Sequence, residues 1–174
     1  DCGFLSKSLA GVGVTFYLMS ALRASLRADD WFAQQNIAEP NLAELLDLVA
    51  LGTVADVVPL DQNNRILVHQ GLNRIRAGRC CAGITALLEI SKRQAPALVA
   101  SDLGFALGPR LNAAGRLDDM SVGVELLLTD DMAKARMLAH ELDGLNQTRR
   151  EIEQGMQQEA LTLFSKIEHS TTEI

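Results

Sequence analysis

The 174-residue sequence is short of cysteine, aromatics and net positive charge, and each shortage closes a class of readings. Its three cysteines include the adjacent pair Cys80 and Cys81 and show no CxxC spacing, which argues against a disulfide framework and against structural zinc. Aromatic residues make up 4%, too few for a surface that grips single strands mainly by base stacking. A net charge of −6 excludes a wholly basic nucleic-acid coat. No apolar run approaches the ~18 residues of a membrane span, and no charged leader precedes an apolar signal core. The expectation is a soluble, cytoplasmic chain with no membrane partner. It begins at Asp1 without an initiator methionine, and is expected to be a piece of something longer.

What is present is globular in character, with 48% hydrophobic and 22% charged residues. The charge is unevenly spread. Between Arg65 and Arg93 the basic residues Arg65, Arg74, Arg76, Arg79, Lys92 and Arg93 face only Glu89, a local balance of +5. Such a window fits either a solvated helix face or a surface that steers a phosphate chain.

Hydrophobic periodicity and breaker residues predict a procession of helices. One follows Ser6 through "SLAGVGVTFYLMSALRASL", and another opens at Asn41, with Glu44 as its capping-box partner and Gly52 as its stop. The β-branched "TVADVVPL" then predicts a short strand or extended segment ended by Pro59. Further helices are predicted from about Asn64 to Arg76 and around "ITALLEIS", "ASDLGFAL" and "SVGVELLL". From Asp131 to Ile167 there is no proline, and Ala135, Leu138, Leu142, Leu145, Ile152 and Met156 form a stripe at spacings of three and four. That predicts a helix about 55 Å long, started by Thr129 and Asp130, which joins two domains or enters a coiled coil.

Two stretches carry chemistry. In "ALGTVADVVPL", Asp56 is either a turn or cap residue, or a carboxylate that its apolar neighbours force to find a partner, for which a hard divalent cation is suited. In "LGPRLNAAGR", Gly108, Pro109 and Gly115 predict a loop from which Arg110, Asn112 and Arg116 project donors. Their target is an oxyanion such as phosphate, or else Asp118 and Asp119 in structural ion pairs.

The stretches "LAELLDLVALGTVADVVPL", "LGFALGPRLNAAGRLDDMSVG" and "ELDGLNQTRREIEQGM" resemble the DHH phosphoesterase family, and within it the bacterial single-strand-specific 5′-to-3′ DNA exonucleases, from about Ser6 to at least Leu161. The resemblance implies an α/β parent fold, of which this chain is a mainly helical part with few short strands and a long C-terminal connecting helix. It implies the C-terminal part of the metal-bearing domain over 1–128, the connecting helix over 129–168 and a tail over 169–174. In that family a "GTxAD" segment supplies an aspartate that ligates Mn2+ or Mg2+, and Asp56 matches it. Arg110, Asn112 and Arg116 would then meet substrate phosphates, and Arg74, Arg76 and Arg79 would extend a DNA channel. The implied partners are single-stranded DNA together with single-strand-binding and other repair proteins. The family's Asp-x-Asp and Asp-His-His motifs are missing: no two aspartates are spaced that way, and His69, His140 and His169 stand apart. The segment alone is therefore expected to be inactive. A non-catalytic helical interaction module and a nucleic-acid-binding module remain the other readings.

Overall fold

The computed structural model describes residues 3–117 and 119–171, except for the side chains of 116, 117 and 163–171. Its helices are α1 (Gly11–Ala28), α2 (Trp31–Gln34), α3 (Leu46–Ala55), α4 (Gln62–Arg76), α5 (Ala82–Ile90), α6 (Ala100–Asp102), α7 (Gly108–Leu117), α8 (Ser121–Leu128) and α9 (Met132–Thr171). The mainly helical expectation holds. The few short strands do not, because no residue among those described is in a strand.

α3 is the axis of the arrangement. Its sequence is apolar on nearly every side, and Val49, Ala50, Leu51 and Thr53 are all buried, as expected of a helix enclosed by neighbours all round. α4 crosses it at Gly71, where an added Cβ would lie 2.1 Å from the Leu46 carbonyl oxygen, so only glycine permits this approach. α1 crosses at Gly52 through Val12. That contact explains why Gly52 does not stop the helix: it is a packing glycine in the interior of α3.

The stop comes from Pro59. The residue before a proline is pushed out of the α region, so Val58 cannot continue the helix. "TVADVVPL" is accordingly a helix end followed by a turn, and its predicted strand is not formed. The predicted loop at "LGPRLNAAGR" is likewise helical, as α7. Pro109 lacks an N–H and its ring crowds the carbonyl four residues back, and the preceding turn, Leu103–Leu107, has widened into a π-helix that accommodates it.

α5, α7, α8 and the first part of α9 share one core, with Ile84, Leu87, Leu103, Leu107, Leu126 and Leu142 fully buried. The cap of α9 is Asp131, whose carboxylate accepts from Ala133 N at 2.8 Å, one residue later than Thr129 and Asp130 suggested. α9 is about 60 Å long at 1.5 Å per residue. Its first turns belong to the core, whereas residues 150–162 are exposed on every side.

Candidate metal and phosphate site

Asp56 caps the C-terminus of α3, its own N–H donating to the Gly52 carbonyl at 3.0 Å. The carboxylate is exposed and has no hydrogen-bond or ion-pair partner among the described residues. The burial anticipated from its apolar neighbours is absent, since Val57 points into solvent at 85% exposure. The case for a cation rests instead on position. A helix C-terminus carries the negative end of the macrodipole, so an unpaired carboxylate there is unfavourable by about 0.3–1 kcal/mol.

The next residue is strained. Val57 has φ of 55°, a left-handed conformation that a β-branched residue rarely adopts and that costs about 1–3 kcal/mol. Its N–H donates to Val54 O at 3.1 Å, closing α3 as a glycine at that place would.

The end of α3 lies directly against the second motif. A Cβ added at Gly104 would come within 3.1 Å of Val54 Cγ1, and one at Gly108 within 3.2 Å of Ala55 Cβ. The two glycines let the backbone of the π turn and the start of α7 close onto the residues just before Asp56. Sequence positions about fifty apart therefore form one corner of the molecule.

Within α7, Asn112 is exposed. Arg110 is not free: its Nε and Nη2 each lie 2.8 Å from Asp143 Oδ1, and its Nη1 donates to the Ala106 carbonyl in the π turn at 2.5 Å. With side-chain exposures of 12% and 18%, Arg110 and Asp143 make a largely enclosed pair that fixes α7 to α9. Of the alternative partners of the sequence reading, Asp119 accepts from Ser121 N at 2.9 Å, while Asp118 and the side chain of Arg116 lie outside the described residues.

The basic window does not form one free face. Arg76 Nε donates to Leu98 O at 2.8 Å, Arg93 pairs with Asp102 at 3.1 Å, and Arg74 is half-buried with its Nε unpartnered among the described residues. Arg79 is exposed, just past the end of α4. A groove of about 580 Å³ lined by Phe4, Leu5, Tyr17, Asp61 and Asn63 contains none of these candidates.

Sequence reasoning missed three buried polar residues. Asp47 is buried in the first turn of α3 and accepts from Cys81 N at 2.9 Å. Asn64 is fully buried in α4, and Asn146, also fully buried, has neither amide atom hydrogen-bonded among the described residues. Their only local signal was a polar residue at a helical position facing the core, which composition does not reveal. Burial raises the thiol pKa of both neighbouring cysteines, Cys81 to about 11, so neither is an activated nucleophile.

The donor set fits a divalent cation only in part. Asp56 offers one hard oxygen ligand, and no group of three His, Cys, Asp or Glu among the described residues could complete a site.

No protein-family model matches the chain. The single-stranded-DNA-specific exonuclease RecJ of Dickeya dadantii (strain 3937) is 75% identical over 170 residues, covering 98% of this chain and 30% of that protein. The chain is similar to one segment of RecJ. The crystal structure of RecJ from Thermus thermophilus in complex with Mg2+ matches with a TM-score of 0.73 at 36% identity, over 90% of this chain and 23% of that one. The structure of exonuclease RecJ bound to manganese matches equally well, over 37% of its chain. The chain thus spans about 30% of the length of the curated RecJ relative, and the similarity reaches nearly all of its own residues.

Proposed function

We propose that this RecJ-like chain is the part of a single-strand-specific 5′-to-3′ DNA exonuclease of the DHH family that contributes one carboxylate, Asp56, to a divalent-metal centre. The observation that carries the reading is the exposed Asp56 carboxylate at the negative end of α3, without a partner among the described residues and following directly on Val54 and Ala55, which meet Gly104 and Gly108. Mn2+ or Mg2+, when bound, would supply charge neutralisation at the phosphate and an activated water.

The chain's own residues divide the remaining work. Asp56 would hold the cation. Asn112 and Arg116 would bind substrate phosphates, the electrostatic part of phosphodiester hydrolysis. Arg110, already tied to Asp143 and the Ala106 carbonyl, would join them through its remaining Nη hydrogens or by exchanging Asp143 for phosphate. Arg79, with Arg74 and Arg76 behind it, borders the path of the single strand. The setting is cytoplasmic DNA repair and recombination, with single-strand-binding and other repair proteins as companions.

The test is Asp56→Ala in the full-length protein that carries this segment. Turnover of 5′-phosphorylated single-stranded DNA with Mn2+ is expected to be lost, while DNA binding persists. The isolated chain is expected to release no mononucleotide, because one carboxylate does not hold two ions. A near-normal rate in the mutant returns Asp56 to a capping role.

A second reading is favoured by the projecting end of α9, where Ile152, Met156 and Leu161 are exposed at 48%, 66% and 56%. This stripe would bind a partner helix. Sedimentation of the isolated chain as a discrete oligomer, lost on Ile152→Glu with Met156→Glu, would support it.

A further inference from the structure

We infer that Asn64 is the positioning residue for Asp56: its buried amide clamps the backbone that holds the carboxylate in place. The inference rests on the reading of Asp56 as a metal ligand and extends it to a residue that touches neither metal nor substrate.

The segment from Asp56 to Pro59 is a short bridge fixed at both ends. On the α3 side, the N–H groups of Asp56 and Val57 donate to Gly52 O at 3.0 Å and Val54 O at 3.1 Å. On the α4 side, the Pro59 carbonyl accepts from Asn64 Nδ2 at 2.8 Å and from Asp61 N at 3.0 Å. The same Nδ2 donates to Ser8 O at 2.7 Å, so one amide group sets the distance between the run entering α1 and the run leaving Asp56. Asn64 is fully buried and sits rigidly in the first turn of α4, its own N–H capped by Asp61 Oδ1 at 2.9 Å.

Strain shows that this clamp is needed. A β-branched residue at positive φ persists only where its surroundings over-determine it. Val57 is 85% exposed, so side-chain packing does not hold it. What remains is the pair of backbone anchors. Release of Pro59 would let Val57 relax to the extended region, and the Asp56 carboxylate would turn with it. Asn64 Oδ1 is buried without a partner among the described residues, so the side chain acts here through its donors.

The experiment measures Mn2+ binding to the full-length protein by calorimetry, with electron paramagnetic resonance of the bound ion as a second readout. Asn64→Ala is expected to weaken Mn2+ affinity about tenfold, in line with other supports of ligating groups. Asn64→Asp keeps the volume, so it preserves packing where alanine does not. It replaces the donor with a charge facing two carbonyls and is expected to lose at least as much affinity. Val57→Gly makes the left-handed turn unstrained and touches nothing, so adding it to Asn64→Ala is expected to recover most of the affinity. A core cavity alone would not be repaired that way. Wild-type affinity in both Asn64 variants, or no recovery with Val57→Gly, overturns the proposal. If Asp56→Ala itself leaves Mn2+ affinity unchanged, the metal-ligand reading has failed instead; if Asp56→Ala weakens it and the Asn64 variants do not, only the positioning role has.

Discussion

Asp47 and Asp56 stand at opposite ends of α3 and have opposite fates. Asp47 lies in the first turn, 2% exposed, and its carboxylate accepts from Leu48 N at 2.8 Å and Cys81 N at 2.9 Å. Backbone donors and the positive end of the helix dipole both favour a negative charge there. Asp56 lies at the other end, exposed, where the dipole opposes it and no donor among the described residues answers it. One aspartate is part of the fold, tying α3 to the start of α5. The other is a liability to the fold, one that the proposed cation would offset.

The comparison is broken most severely at Asp47. Asp47→Ala removes both acceptors and leaves the Cys81 N–H, at the N-cap of α5, without its partner. The loss is expected to be about 2–3 kcal/mol, since hydrogen bonds to charged groups and buried orphaned donors are costly. Urea denaturation of the isolated chain measures it. In the full-length protein the same substitution should leave Mn2+ affinity unchanged. Loss of less than about 0.5 kcal/mol would mean that the backbone of α5 finds another acceptor.

The two aspartates also mark what could be read in advance. The sequence singled out Asp56 because its neighbours are apolar, yet "LLDLVAL" around Asp47 is equally apolar, and it is Asp47 that is buried. Local composition does not state which end of a helix faces the core. The helix end itself was misplaced because Gly52 resembles a stop, while the steric restriction from Pro59 acts two turns later. Pro109 was read as a loop former, and the π turn that absorbs it depends on packing of Gly104 and Gly108 against α3. The cap residue at Asn41 was legible, but it closes the 3₁₀ turn Leu42–Leu45 ahead of α3. Asn41 Oδ1 accepts from Ala43 N and its amide donates to Glu44 Oε1, each at 3.3 Å, in place of the expected capping box, in which Glu44 would accept from the Asn41 backbone N–H. The long helix α9 was legible too, because periodicity without proline is a local signal. The Arg110 partner was not legible, since Asp143 is 33 residues away and comes into reach only when α7 lies on α9.

Arg110 supplies the intermediate case, a charge serving the fold in the neighbourhood of a charge that does not. Arg110→Ala is expected to cost about 1–3 kcal/mol, between the values for exposed and fully buried pairs, because Asp143 is then left enclosed and uncompensated. Double substitution with Asp143→Ala should recover part of that loss. A phosphate contact predicts a separate effect in the full-length protein: weaker single-strand binding at every sequence, with the slope of log affinity against log salt reduced by about one. Loss of stability with an unchanged slope assigns Arg110 wholly to the fold. The same measurement on Arg116→Ala tests the other arginine of the motif.

The smallest effect is the most direct comparison of the two helix ends. Asp56→Asn in the isolated chain keeps the side-chain shape and removes the charge from the negative pole of α3. The substitution is expected to stabilise the chain by about 0.3–1 kcal/mol, because the carboxylate has no partner whose loss would offset the gain. Asp47→Asn should act in the opposite direction, since it weakens two hydrogen bonds at the positive pole. Both changes are electrostatic, but only the exposed one is open to screening, so the Asp56→Asn gain should fade between low salt and about 1 M while the Asp47→Asn loss persists. Thermal denaturation across that salt range reads both. A destabilising Asp56→Asn that ignores salt would mean that the carboxylate is already satisfied within this chain, and its claim on a cation would go with it.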